Sequence, residues 1–190
     1  MAESTASALG RPRSDVDETV FAATLRTVHE LGYTGATMDR IAAAAGVAKT
    51  TIYRRWPSKG VLITECLVHT FGRPPAPGTS WLPSTDPRDA YPAAIRWVAA
   101  RIGEPGVGAA FAGVFTDAIS DPPLRELLLH RLQGPYQDAL QDALGESTDR
   151  FQLHVDIIAG TLLHRLGIRG APMAGADVEA LIAVILRDLD

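Results

Sequence analysis

Lys49, Thr50, Tyr53 and Arg54 crowd hydrogen-bond donors into six residues. If that segment is helical they share one face, and their side chains have the length to enter the major groove of duplex DNA. Lys49 and Thr50, at the start of such a helix, are placed to read base edges. Thr51, Tyr53 and Arg54 are better placed to grip phosphates, which fix register without choosing sequence. Lys59 extends that grip, and Thr37 would help hold a phosphate beside the backbone amides that open the preceding helix. Arg11 and Arg13 lie earlier, in a small, polar stretch whose composition favours a flexible arm over residues 1–13. Basic side chains on such an arm can enter an adjacent minor groove, and a solvated tail is the alternative.

Those donors need a scaffold, and the residues around them supply one. Few segments alternate apolar and polar residues, whereas many place apolar residues three and four apart, so the whole chain reads as all-α. A first helix is expected over residues 14–31, with Ser14 and Asp17 at capping-box spacing, Phe21, Thr24, Leu25 and Val28 on one buried face, and Gly32 ending it. A short second helix starts at Thr37, a good N-cap, and ends in the alanine run before Gly46, where glycine permits a turn that a side chain would resist. A third helix, over residues 49–56, is closed by Pro57. Ser58 caps a fourth that runs through Leu62, Cys66 and Phe71. Ile41, Ala45, Val47, Ile52 and Trp56 form an apolar seam toward the first helix and leave the donor face of the third helix free. Arg55 sits nearer the seam, in a structural position.

The run from Gly32 to Ile63, GYTGATMDRIAAAAGVAKTTIYRRWPSKGVLI, resembles the DNA-binding signature of the TetR family of bacterial transcription regulators. The Gly32-Tyr33 helix end, the Thr37 cap, the IAxxAGV turn and the TxYRRWPSK stretch agree with it in order and spacing. One departure is Ala48, where the family often carries a serine or threonine that caps the recognition helix or touches DNA; alanine does neither. The resemblance implies a helix-turn-helix over residues 14–60, made of three helices plus a connecting one. It also implies a ligand-sensing and dimerisation domain over residues 61–190, for about nine helices in all. By the same resemblance the protein would be a repressor that binds a palindromic operator as a homodimer and is released by a small-molecule effector.

Beyond a proline- and glycine-rich linker at residues 73–87, helices are expected near residues 89–102, 108–120, 122–144, 148–166 and 176–189, with Gly134-Pro135 kinking or splitting the third. The resemblance places an effector pocket among the middle ones. Its candidates are Trp97, Phe111, Phe115, Leu132, Tyr136 and Ile158, although aromatic and aliphatic residues at helical spacing also make ordinary core. His130 and His164 are candidates for a polar contact there, with surface or core roles as the alternative. The segment from residue 155 to residue 186 is similar to the last two helices of one large branch of the family, which pack against a second subunit. Phe151, Val155, Ile158, Leu162 and Leu166 make one stripe and Leu153, Ile157, Gly160, Thr161 and His164 another, while Ala180 and Val184 are left over on the final helix. A helix with two occupied faces needs two partners, and a homodimer supplies the second; a monomer burying the helix centrally is the alternative.

Composition bounds the rest. The 190 residues are 46% hydrophobic with a net charge of -4. Residues 1–60 nevertheless carry net +2 and residues 61–190 net -6, and both lysines of the protein, Lys49 and Lys59, fall in the basic part. One cysteine and five scattered histidines make neither an internal disulfide nor a recognised metal-ligand spacing, so no metal or cofactor is expected. GxSxG, GxxxxGK[ST] and HExxH patterns are absent, which argues against an enzyme. No apolar run has the length of a membrane span, and the first residues lack the order of a secretory leader, so a cytoplasmic location is expected. Two other readings stay open: a ligand carrier or protein-interaction module keeping a degenerate helix-turn-helix, and a small-molecule enzyme built on helices.

Overall fold

The computed structural model describes residues 13–72, 84–145 and 148–189, and every regular element among them is helical. The helices are α1 (Arg13–Gly35), α2 (Met38–Ala45), α3 (Lys49–Arg55), α4 (Lys59–Phe71), α5 (Pro87–Gly103), α6 (Val107–Ser120), α7 (Pro122–Leu128), α8 (Gly134–Leu144), α9 (Thr148–Arg169) and α10 (Ala176–Arg187). A π-helical turn, Leu129–Gln133, joins α7 to α8 into one continuous rod. The described chain therefore holds nine rods, as the periodicity implies.

Local chemistry explains most boundaries. Gly32, at φ 69° and ψ 168°, breaks α1 where the sequence predicts its end, and a last turn continues to Gly35. Residues 73–83 of the expected linker lie outside the described residues. At its far end α5 begins two residues early, because Asp86 accepts a hydrogen bond from Arg88 N–H at 2.9 Å and Pro87 occupies the first turn, where a missing N–H costs little. At Gly134-Pro135, where a kink or split is expected, the 122–144 helix runs on without a gap and changes register through a π-turn. Gly134 N–H donates to the Leu129 carbonyl, a register that spares Pro135 the clash it would suffer in a continuous α-helix.

A single buried cluster runs from Val20 on α1 to Ile185 on α10. Its centre is α4, where Leu62, Ile63, Cys66 and Leu67 are fully enclosed because α1, α6, α7 and the π-turn all pack on it. Buried hydroxyls are satisfied locally: Thr24 donates to the Val20 carbonyl at 2.8 Å, Thr27 to Ala23 at 2.7 Å and Thr64 to Gly60 at 2.8 Å. Burial pushes the Cys66 thiol up to about 12, so it stays neutral while donating weakly to the Phe21 carbonyl. The α5–α6 joint rests directly on α1. Gly106 has φ 81°, and a Cβ there would come within 2.1 Å of the Leu25 carbonyl oxygen, so only glycine fits.

Candidate nucleic-acid interface and apolar cavity

The turn between α2 and α3 is built as its residues dictate. Thr37 Oγ1 accepts the Arg40 N–H at 3.3 Å and caps α2, while Gly46 takes the left-handed conformation, φ 66° and ψ 30°, that redirects the chain. Ala48 precedes α3 with no side-chain cap. Ile41 and Ile52 are fully buried and Trp56 nearly so, its ring 5.6 Å from Phe21 on α1. The seam thus fixes α3 by one face and leaves the other free.

On that free face Lys49, Thr50, Tyr53 and Arg54 are exposed, Tyr53 by 49%, and Thr51 is half-buried beside them. Two of the cationic groups are already engaged. Lys49 Nζ forms an ion pair with Asp39 on the first turn of α2. Lys59 Nζ donates to the Tyr33 carbonyl at 3.1 Å and lies 3.8 Å from the Tyr33 ring centroid, so it is held against the end of α1 rather than extended. Arg55 pairs with Asp17 on α1, in keeping with its place by the seam. Thr37 is exposed at the start of α2. Arg11 lies outside the described residues, as does the Arg13 side chain, although Arg13 is the first residue of α1.

A second feature lies deeper. Trp97, Phe111, Phe115, Leu132, Tyr136 and Ile158 come together around a partly open cavity of about 160 Å³, with Phe71, Phe151 and Leu140 among the other walls. Its lining is almost wholly apolar. The polar side chains include Gln133 and Gln137, and Gln137 Nε2 is buried with no hydrogen-bond partner among the described residues. Tyr136 donates its hydroxyl proton to the Gly72 carbonyl at 2.5 Å, and burial pushes its phenol up to about 12 against the opposing charge of Arg101. Phe71, the last residue of α4, packs edge-on against Trp97 and Tyr136.

The cavity and the α3 face are therefore joined by two helices. Through Phe71 and Gly72, α4 reaches the cavity; its other end starts at Lys59, beside α3. Phe111 and Phe115 of α6 reach the cavity, while Gly113 and Asp117 of the same helix meet Tyr33 at the end of α1. The pairing of Tyr33 with Asp117 does not stand out in sequence, because it spans 84 positions.

At the far end, Phe151 and Leu162 are buried, and Val155, Ile158 and Leu166 pack beside them. The other stripe of α9 faces out, with Leu153, Gly160 and His164 exposed and Ile157 and Thr161 half-buried; on α10, Ala180 and Val184 are exposed too. His130 and His164 are both exposed, so neither is a polar group of the cavity. The buried histidine is His154, which sequence periodicity does not distinguish. Its Nδ1 is 2.8 Å from the Tyr91 hydroxyl and its Nε2 3.0 Å from Asp188 Oδ2, tying α5, α9 and the end of α10 together.

Residues 20–66 match the family described as "Bacterial regulatory proteins, tetR family". Over 180 residues the chain is 27% identical to the uncharacterized HTH-type transcriptional regulator Rv1556 of Mycobacterium tuberculosis, covering 90% of this chain and 86% of that protein. It is 28% identical over 182 residues to the uncharacterized HTH-type transcriptional regulator YdeS of Bacillus subtilis, covering 91% and 89%. In fold it is similar to the crystal structure of the multidrug binding protein EbrR complexed with ethidium, with a TM-score of 0.67 and 19% identity over 94% of this chain and 99% of that one.

Proposed function

Since this chain is a DNA-binding transcription regulator of the TetR family, we propose that it acts as a homodimeric repressor that a small molecule releases from its operator. The observation that carries this reading is the division of α3, with Ile52 fully buried on one side and Lys49, Thr50, Tyr53 and Arg54 in solvent on the other. In this reading residues 14–60 bind DNA and residues 61–190 sense the ligand and dimerise. Lys49 and Thr50 read bases. Thr51, Tyr53, Arg54 and Thr37 hold phosphates, Lys59 joins them after leaving Tyr33, and Arg11 and Arg13 reach a neighbouring minor groove. Two copies joined through α9 and α10 present their α3 helices to successive major grooves, about 34 to 36 Å apart.

The cavity is the effector site of this reading, and its walls explain release. A molecule seated against Phe71, Phe111 and Phe115 presses on α4 and α6, the two helices that also hold the α3 unit. Displacing them alters the spacing of the two readers by as much as the ligand prefers the displaced form. EbrR, similar in fold, is a multidrug binding protein that accepts ethidium, which supports a ligand-bearing sensor domain here. A regulator of this kind works in the cytoplasm, and no helix among the described residues is long and apolar enough to cross a membrane.

The test is a gel-shift titration of the protein on DNA from upstream of its own coding region, across salt concentrations and against a compound library. A sharp duplex complex that weakens with salt and dissolves with one class of compound is expected. Failure to shift any duplex at low salt would refute the reading.

A further inference from the structure

The cavity holds one chemical asymmetry that its size and apolarity do not explain. Its walls are aromatic on several sides, through Phe71, Trp97, Phe111 and Phe115, yet Gln137 leaves the Nε2 of its amide buried and unpartnered among the described residues. A buried N–H without an acceptor is destabilising, so such a group in a working pocket signals a partner that arrives with the ligand. Among the described residues that line it there is no aspartate or glutamate. A cation entering this space would shed its water without a counter-charge, and aromatic faces alone recover only part of that cost. The Tyr136 proton is already given to the Gly72 carbonyl, whereas the Gln137 amide is a buried donor on the lining with no partner among the described residues.

Resting on the reading of this cavity as the effector site, we infer that its ligand is an uncharged, flat aromatic molecule of one or two fused rings whose carbonyl or ether oxygen accepts a hydrogen bond from Gln137. Size sets the ring number. An apolar cavity of about 150 Å³ holds benzene, and this one, at about 160 Å³ with an open side, takes one ring fully and lets a second project toward the mouth. Rings stack against Trp97 and Phe111, while the oxygen turns toward α8, where Gln137 sits.

Three probes of equal shape test this. Coumarin is neutral and carries a carbonyl, naphthalene is neutral and carries none, and N-methylquinolinium is a cation. Binding is read by quenching of Trp97, which lines the site, and by competition between probes. Wild-type protein is expected to bind coumarin about tenfold tighter than either other probe. Gln137→Met, close in volume, should lose that tenfold advantage while naphthalene binding holds. Gln137→Glu should reverse the preference toward N-methylquinolinium. Circular dichroism confirms that each variant is folded. Equal affinity for the three probes, or coumarin binding untouched in Gln137→Met, overturns the ligand class. If wild-type protein binds none of them, or if Ala94→Phe and Ala159→Phe, which fill the cavity, leave binding intact, the effector-site reading itself falls.

Discussion

The Tyr33 hydroxyl donates a hydrogen bond to the Asp117 carboxylate, joining the end of α1 to the outer side of the helix whose inner side lines the cavity. Burial, reinforced by that bond and by the charge of Asp117, holds the Tyr33 phenol above its ordinary range, so the bond persists across the physiological window. The ring packs directly on Gly113, where an added Cβ would stand 2.0 Å from Tyr33 Cγ. Gly113→Ala is therefore expected to displace the ring and cost about 1–3 kcal/mol, as overpacking does. Tyr33→Phe keeps the ring and loses only the hydrogen bond, about 1 kcal/mol. Urea midpoints should rank wild type above Tyr33→Phe above Gly113→Ala. The same order should appear in how far an effector weakens DNA binding, since both changes loosen the α6 link. A Gly113→Ala protein as stable as wild type would contradict this packing.

Asp39 opposes the DNA role of Lys49 by holding its ammonium across the α2–α3 turn. Both side chains are largely exposed, so the pair contributes little to stability, about 0–1 kcal/mol, and phosphate or a guanine edge can displace it. Asp39→Asn is expected to leave the melting temperature within a degree or two and to raise affinity for random duplex several-fold at low salt. Lys49→Ala should relax sequence choice at its base position, whereas Tyr53→Phe should weaken binding to all sequences alike. Filter binding on matched and scrambled operators over a salt series separates the cases. Unchanged discrimination in Lys49→Ala would remove that residue as a reader.

The elements legible in the sequence are those whose causes are local. The Thr37 cap, the Gly46 turn, the Gly32 stop and the register change before Pro135 each follow from a residue type within a few positions of the feature it makes. The six aromatic and aliphatic residues around the cavity are visible as a helical pattern, although the pattern alone does not separate cavity from core. What escaped is pairwise and distant. Periodicity gives no reason for Tyr33 to find Asp117, for Gly106 to meet the Leu25 carbonyl, or for His154 rather than His130 or His164 to be enclosed. Lys59 illustrates the same limit, because nothing in a lysine next to a helix start reveals that its ammonium will rest against Tyr33, 26 positions away.

Asp188 makes the C-terminal assembly sensitive to acid. Hydrogen bonds from His154 first, and from Arg150, lower its carboxyl below the ordinary value of 3.8. A carboxylate depressed on folding stabilises the protein above its unfolded pKa, and that contribution disappears as the pH falls through the folded value. Glu179, lowered by its two-pronged hydrogen bonds from Arg96, acts in the same sense. Asp188→Asn should thus melt earlier than wild type at pH 6. The gap should close as the pH falls through the lowered folded value of Asp188, when both carry a neutral group. Differential scanning calorimetry from pH 2.5 to 6 reads this directly, and a gap that widens toward acid would reverse the assignment.

Leu153 on α9 and Val184 on α10 are large apolar side chains left 56% and 53% exposed. Beside them lie Gly160, whose Cβ position meets nothing within 4 Å, and the exposed Ala180. A face of small and apolar residues with that much open space suits close helix contact with a second copy, and in a two-fold interface every residue is presented twice. Leu153→Glu or Val184→Glu therefore places a pair of like charges into one contact. Because neither side chain is part of the buried cluster of its own chain, helix content should be unchanged. Sedimentation should then shift from dimer to monomer, and operator affinity should fall at least a hundredfold because a monomer reaches one half-site only. The two readouts must move together. A charged variant that remains dimeric and still binds its operator would show that the copies meet elsewhere on the surface.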